Sequence, residues 1–368
     1  MFHKICQKSW FGTLILTALL VPLSIFSLFV GVIDLDVQTL FSGGDAMKWK
    51  IFLLSRIPRL FAVLCTGVGM SVAGLIMQQL CMNKFVSPTT GATISSAQFG
   101  ILMSLIFMPN VGMWGKTLFS FSTAILGTWV FVWFIQKIQF KDTVLVPLVG
   151  IMFGNVIGGI TNFFAYKFEV TQQLSSYLVG SFSLVIRGSY ELVFLAVPLV
   201  VLAFLYANHF NIVGMGKDFA GNLGVNYRVI LFLGLTIAAV ITASVVTVVG
   251  SISYIGLLVP NIVAMFRGDK IRGTLTDTAL FGALFVLAAD IIARSVIMPY
   301  ELPIELIIGI AGSLLFIVLL LYKLKHGRTS IRLNLQLYLQ RSVGKWLQGR
   351  CSGDFRGSRE RDCLSMQG

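Results

Sequence analysis

Long runs without a formal charge decide what this chain can fold into. Ser9 to Ile33 carries none, nor does Leu60 to Asn83. Further runs cover Phe85 to Gly115, Thr117 to Gln136, Thr143 to Tyr166 and Leu192 to Gly216. Val229 to Phe266 is 38 residues long, too much for one crossing, and breaks at Val249-Gly250-Ser251 into one full helix and one shorter one. Thr278 to Pro299, apolar apart from Asp290 and Arg294, and Leu306 to Tyr322 complete ten segments. A hydrocarbon core of roughly 30 Å needs about 20 mostly apolar residues per helical crossing, which these runs supply. Barrel strands would instead show alternating segments of roughly ten residues. The reading is an all-α, polytopic membrane protein of about ten transmembrane helices, with the lipid bilayer as its solvent.

Composition agrees, with 56% hydrophobic and only 12% charged residues. Ten spans put both termini on one side, and the basic N-terminal residues Lys4 and Lys8 favour the cytoplasm. On that assignment thirteen basic residues up to Arg328 lie inside and eight outside. Arg56, Arg59 and Arg294 fall on the outer side, against the trend. The first span is read as a retained helix, because its apolar stretch exceeds a typical signal-peptide core and no small-residue cleavage site follows. Residues 1–328 form the ten-helix domain. Residues 329–368, with seven basic and three acidic side chains, read as a basic, poorly ordered cytoplasmic tail. The five cysteines lack metal-ligand spacing. The net charge of +13 is scattered over loops on both sides, with no base-reading surface, so nucleic acid is not a partner.

Catalytic groups are missing. The three histidines lie near span boundaries, and no triad, HExxH or intramembrane carboxylate pair is present. Gly115-Lys116-Thr117 resembles a P-loop ending, but Asn110 replaces the first glycine and no strand precedes it. Nothing calls for a cofactor or a metal. Small residues carry more information. Gly150, Gly154 and Gly158 recur every four positions on the fifth span, either for close helix packing or as the wall of a wide passage, packing being the commoner use. Gly67, Ser71 and Gly74 make a similar face on the second span, and Gly309 and Ser313 a shorter one on the tenth. Asp290 and Arg294, four apart, can pair on one helix. Glu301 and Glu305 flank Pro303 where acids suit a helix start. After the sixth span, Gly216, Ala220 and Gly224 fall at i, i+4 and i+8, a small-residue face on a short helix that could take a partner's surface.

At these positions the chain resembles the FecCD family of permeases, which serve ABC importers of iron-siderophores, haem and cobalamin. Arg56-Ile-Pro-Arg59, Gly74-Leu-Ile-Met-Gln78 with Asn83, Pro88 and Gly91, and Gly256-Leu-Leu-Val-Pro-Asn261 are similar to family segments. So are Ala289-Asp-Ile-Ile-Ala-Arg294 and Glu301-Leu-Pro303. Lys84 departs from the pattern, where proline is usual. The resemblance implies a permease subunit paired with an identical or homologous second permease around a central path. Helices such as the fifth and tenth would line that path, with Gly150, Gly154, Gly158 and Gly309 as candidates. It implies cytoplasmic ABC ATPase subunits gripping the loop of Gly216, Asp218, Ala220 and Gly224. It also implies an extracytoplasmic siderophore-binding protein docked on Arg56, Arg59 and Arg294. A bacterial cell membrane location and ferric siderophore cargo follow from the same resemblance, with cobalamin or haem as the alternative. An ion-coupled secondary transporter is the rival mechanism.

Overall fold

The computed structural model describes residues 9–31, 46–88, 92–110, 112–137, 145–183, 185, 190–268 and 271–321. Within them lie the helices α1 (Ser9–Phe29), α2 (Ile57–Leu80), α3 (Thr93–Phe107), α4 (Met113–Lys137) and α5 (Leu145–Lys167). They continue as α6 (Ala196–Val213), α7 (Tyr227–Val249), α8 (Ile255–Arg267), α9 (Ile271–Ser295) and α10 (Ile304–Leu321). Eight are long and apolar enough to cross a membrane; α3 and α8 are shorter apolar helices. A helix from Ala46–Ile51 and a π-helical turn at Phe52–Arg56 run directly into α2. The chain divides into a unit of Met1–Leu314 and a second of Leu315–Gly368, which begins within α10. Gly91, Arg187 and the tail 329–368 lie outside the described residues.

The break expected in the 38-residue run is present. α7 ends at Val249, and Gly250 takes φ +92°, a left-handed conformation that favours glycine. A Cβ there would lie 2.7 Å from the Val179 carbonyl oxygen. The segment before α6 fills the gap: Ser251 donates its N–H to Leu178 O at 2.9 Å and Ser181 donates to Val249 O at 2.9 Å. Backbone groups that leave a helix within a membrane are thus paired internally.

α2 is the hub of the bundle, packing on α6, α7, α8 and α9. About 72% of its span is buried, against 6% for α1. The small face read from the sequence lets two of these helices, α8 and α9, approach it closely. A Cβ on Gly67 would stand 2.5 Å from Gly282 O of α9, and one on Gly74 would collide with Gly256 of α8. The two crossings are backbone to backbone.

The Gly256 to Asn261 segment adds a polar lock. Pro260 has no N–H, so it cannot supply the helical bond to Gly256 O four residues back. Gln78 of α2 supplies it instead, donating from Nε2 to Gly256 O at 3.1 Å and Leu257 O at 3.2 Å. Asn261 donates from Nδ2 to Leu257 O and to Lys84 O, both at 2.7 Å, tying the turn after α2 to α8. Replacing Gln78 by Leu removes the donor from a buried carbonyl and is expected to cost about 1–3 kcal/mol. The measurement is the unfolding midpoint of the detergent-purified protein, and an unchanged midpoint would show that Gly256 O has found another donor.

Candidate functional site

Two ends of the bundle carry the residues singled out from the sequence. Arg59 sits in the first turn of α2 and Gln79 in its last, 20 residues apart, or about 30 Å at 1.5 Å per residue.

At the Arg59 end the motif residues from three distant stretches form one ionic cluster. Arg59 donates through Nη2 to Asp290 Oδ1 at 2.9 Å and through Nη1 to both Glu301 oxygens at 2.8 and 2.9 Å. The other oxygen of Asp290 pairs with Arg294 Nη2 at 2.7 Å, as the i, i+4 spacing allowed. Arg294 also donates to Ser27 Oγ at 2.6 Å, Ser27 O at 3.1 Å and Val30 O at 2.9 Å, the last turn of α1 and just beyond. Arg56 donates to Val30 O as well. Glu301 accepts a bond from Ser183 Oγ at 2.7 Å. Glu305 accepts from Gly180 N–H at 3.3 Å.

This arrangement changes how the three arginines are read. They do come together, but Arg294 is only 3% exposed and Arg59 12%. Their donors are turned inward, so neither guanidinium stands on the surface as the docking reading supposed; of the three, Arg56 is the least enclosed. Glu301 and Glu305 likewise hold Arg59 and the loop before α6, rather than only opening α10.

A second buried ion pair was missed in the sequence. Arg267, at the end of α8, pairs through Nε with Asp277 Oδ2 of α9 at 2.6 Å, and Thr13 of α1 donates to Asp277 Oδ1 at 2.7 Å. Asp277 and Arg267 stand at span edges, where loop charges are expected. Their ten-residue separation across a tight turn was the available signal.

At the other end, Lys217–Asn222 forms a short helix with Asp218 exposed in its first turn. Gly216 (φ +109°) and Gly224 (φ +73°) bracket it. Val225 N–H donates to Ala220 O at 2.9 Å and Gly224 N–H to Gly221 O at 3.0 Å, a Schellman cap that requires the left-handed Gly224. The small-residue face is divided, since Gly216 and Gly224 meet open space where a Cβ would be and Ala220 does not share that exposure. Ala220 is fully buried, while Phe219 within the helix, Leu223 at its C-terminal cap and Met215 just before Gly216 are exposed apolar side chains. The loop is fixed to the bundle where Gly214 packs closely on Gln79 and where Asn211 Oδ1 accepts from Ile271 N–H at 3.2 Å.

The path candidates also separate. Gly150 and Gly154 are buried within the chain, and a Cβ on Gly154 would come 3.3 Å from Ser95 Oγ, beside α3. Gly158 and Gly309 have open space at that position. No group of three or more potential metal ligands occurs among the described residues.

Two outcomes follow from the ionic cluster. Asp290→Ala leaves two arginines facing each other without their shared acid, so a loss of about 3–5 kcal/mol in stability is expected, read from the unfolding midpoint. Partial burial pushes the Glu301 carboxyl up, but Arg59 and the Ser183 hydroxyl outweigh it and hold it below the ordinary carboxylate range. A depressed carboxylate stabilises the fold above its ordinary range, and that contribution disappears as pH falls through the lowered value. Unfolding midpoints measured from pH 7 downward should therefore drop more steeply for the native protein than for Glu301→Gln.

With this geometry in place, comparison with known proteins is direct. The chain matches the FecCD transport family over residues 18–322. It is 44% identical over 303 residues to the petrobactin import system permease protein YclN of Bacillus subtilis, covering 82% of this chain and 96% of that protein. It is 34% identical over 307 residues to the ferric-anguibactin transport system permease protein FatD of Vibrio anguillarum, covering 80% and 98%. Its fold superposes on an inward-facing metal-chelate type ABC transporter with a TM-score of 0.76 at 23% identity, covering 84% of this chain and 98% of that one. This multi-pass membrane protein belongs to the FecCD transport family.

Proposed function

We propose that the chain is one of two permease subunits in an ATP-driven importer carrying ferric siderophores across the bacterial cell membrane, with both termini in the cytoplasm. The observation that carries the reading is the 44% identity to a petrobactin permease along nearly its whole length. A second relative, named for ferric-anguibactin, points to the same cargo class rather than to haem or cobalamin. ATP hydrolysis is then the work of partner ATPases, and this subunit carries out no chemistry on its cargo.

The two ends of α2 take the two kinds of partner. On the cytoplasmic side, the helix Lys217–Asn222 and its flanks offer Met215, Phe219 and Leu223 to an ATPase groove, while the buried Ala220 seats the helix on its own bundle and the glycines bracket it. A rigid connection through Gly214 and Asn211 to α2 and α9 suits transmission of nucleotide-driven movement. On the outer side an extracytoplasmic siderophore-binding protein docks around Arg56, with Arg59 and Arg294 bracing that surface from beneath. The second permease, identical or homologous, completes the path.

The deciding experiment is uptake of radiolabelled ferric siderophores, ferric petrobactin first, by cells with and without this gene, with haem and cobalamin as comparison cargoes. Loss of a ferric siderophore alone supports the reading; loss of haem or cobalamin uptake alone overturns the cargo. Phe219→Glu should reduce uptake at least tenfold and release the ATPase from the purified complex. Normal uptake by that variant would remove the exposed apolar side chains from the coupling contact.

A further inference from the structure

Helix α5 carries two amides on an exposed face that is otherwise mostly apolar, with Ile151, Met152, Val156 and Phe163 beside them. The centre of its exposed surface runs through Leu148, Asn155, Gly159, Asn162 and Tyr166, a line at helical spacing. The opposite surface, with Gly150, Gly154, Thr161 and Ala165, is buried within the chain. Asn155 lies ten residues from Leu145 and twelve from Lys167, about 15 and 18 Å from the two ends of the helix, so it sits near mid-membrane depth. Asn162 is two turns further on, about 10 Å along the same line.

Both side chains are exposed, and neither carboxamide has a hydrogen-bond partner among the described residues. Two hydroxyls on exposed surfaces of the spans, by contrast, are satisfied locally. Thr17 donates to Thr13 O at 2.6 Å and Ser122 to Leu118 O at 2.8 Å, each returning its hydroxyl to its own helix. A carboxamide has two N–H donors and a carbonyl oxygen, and here none of them is used within the chain. Unpaired amides are strongly disfavoured in hydrocarbon, so this face adjoins water or protein.

We infer that Asn155 and Asn162 face the aqueous translocation path and hydrogen-bond the oxygen-rich exterior of the passing ferric chelate; this rests on the importer reading above. Catecholate, hydroxamate and carboxylate oxygens accept from carboxamide N–H groups, and chelate hydroxyl or amide protons can be given to their carbonyl oxygens. The recess at Gly159, with open space where a Cβ would be, leaves room for a bulky cargo between the two amides. Neutral contacts also suit passage, because a group that must be released cannot be held tightly. The line carries no acid, which would repel an anionic chelate, and no base, which would retain one. Contact with the second permease is the competing use of the same face.

Single cysteines at 155 and 162, in the assembled importer freed of its five native cysteines, test this directly. Asn155→Cys and Asn162→Cys should react with a charged, membrane-impermeant methanethiosulfonate at least tenfold faster than Ile160→Cys, at the margin of the face. Asn155→Leu and Asn162→Leu should each lower ferric siderophore uptake at least fivefold with complex assembly and ATPase activity retained, and Asn155→Gln should recover part of it. Cysteines that stay unreactive, or that form disulfides between the two permeases in place of reacting, overturn the inference while the importer reading stands. The labelling needs no cargo, so absent wild-type uptake with normal labelling would instead sink the importer reading and the chelate contact with it.

Discussion

Everything else in this bundle depends on how closely other backbones approach α2. Within lipid there is no hydrophobic gain from bringing one apolar helix against another, so close packing must supply the attraction. Gly67 against Gly282 and Gly74 against Gly256 allow that approach at two levels of the same helix. Once the backbones are that near, α2 can also repair its neighbour, since Gln78 reaches the carbonyl that Pro260 leaves without a partner. The glycines and the glutamine are therefore one device, in which contact distance and polar satisfaction are solved together.

The two buried ion pairs extend the same logic to the edge of the bundle. α1 stands at the edge of the bundle, with few fully buried residues, and packs on α9 through half-buried side chains that include Leu20 and Leu23. Polar contacts to α9 fix it near both ends as well, through Thr13 with Asp277 and through Ser27 with Arg294. Charges buried with partners in a low-dielectric medium are costly to separate, which suits them to anchoring a helix at the edge of the bundle.

Much of this was legible in the sequence because the bilayer imposes a simple length rule. Span positions, the break at Gly250 and the Asp290–Arg294 pair all follow from run length and spacing. The partners of Arg59 do not, since Asp290 and Glu301 are more than 230 residues away in the chain. Direction around a helix was also hidden. On α5 the spacing of Gly150, Gly154 and Gly158 marks a small-residue face, yet Gly150 and Gly154 are covered and the exposed surface holds Asn155 and Asn162 among apolar side chains. At the Lys217–Asn222 helix the same ambiguity exchanged Ala220 for Phe219. Periodicity marks faces, but only the neighbours decide which of them is covered.

The short helix α8 bears on how the chain enters the bilayer during synthesis. Its 13 residues extend about 20 Å, less than the hydrocarbon thickness, so it cannot partition into lipid as an independent segment. The non-helical turn before it finds its hydrogen bonds in residues 178–181, and α8 itself meets α2 closely at Gly256, both partners being made earlier in the chain. Insertion at this point must be an assembly step rather than a succession of single crossings. α7 and α8 would enter as a pair, onto a platform of α2 that is already in place. A defect at Gly74 or Gly250 would then be felt first as failed biogenesis, before any question of transport arises.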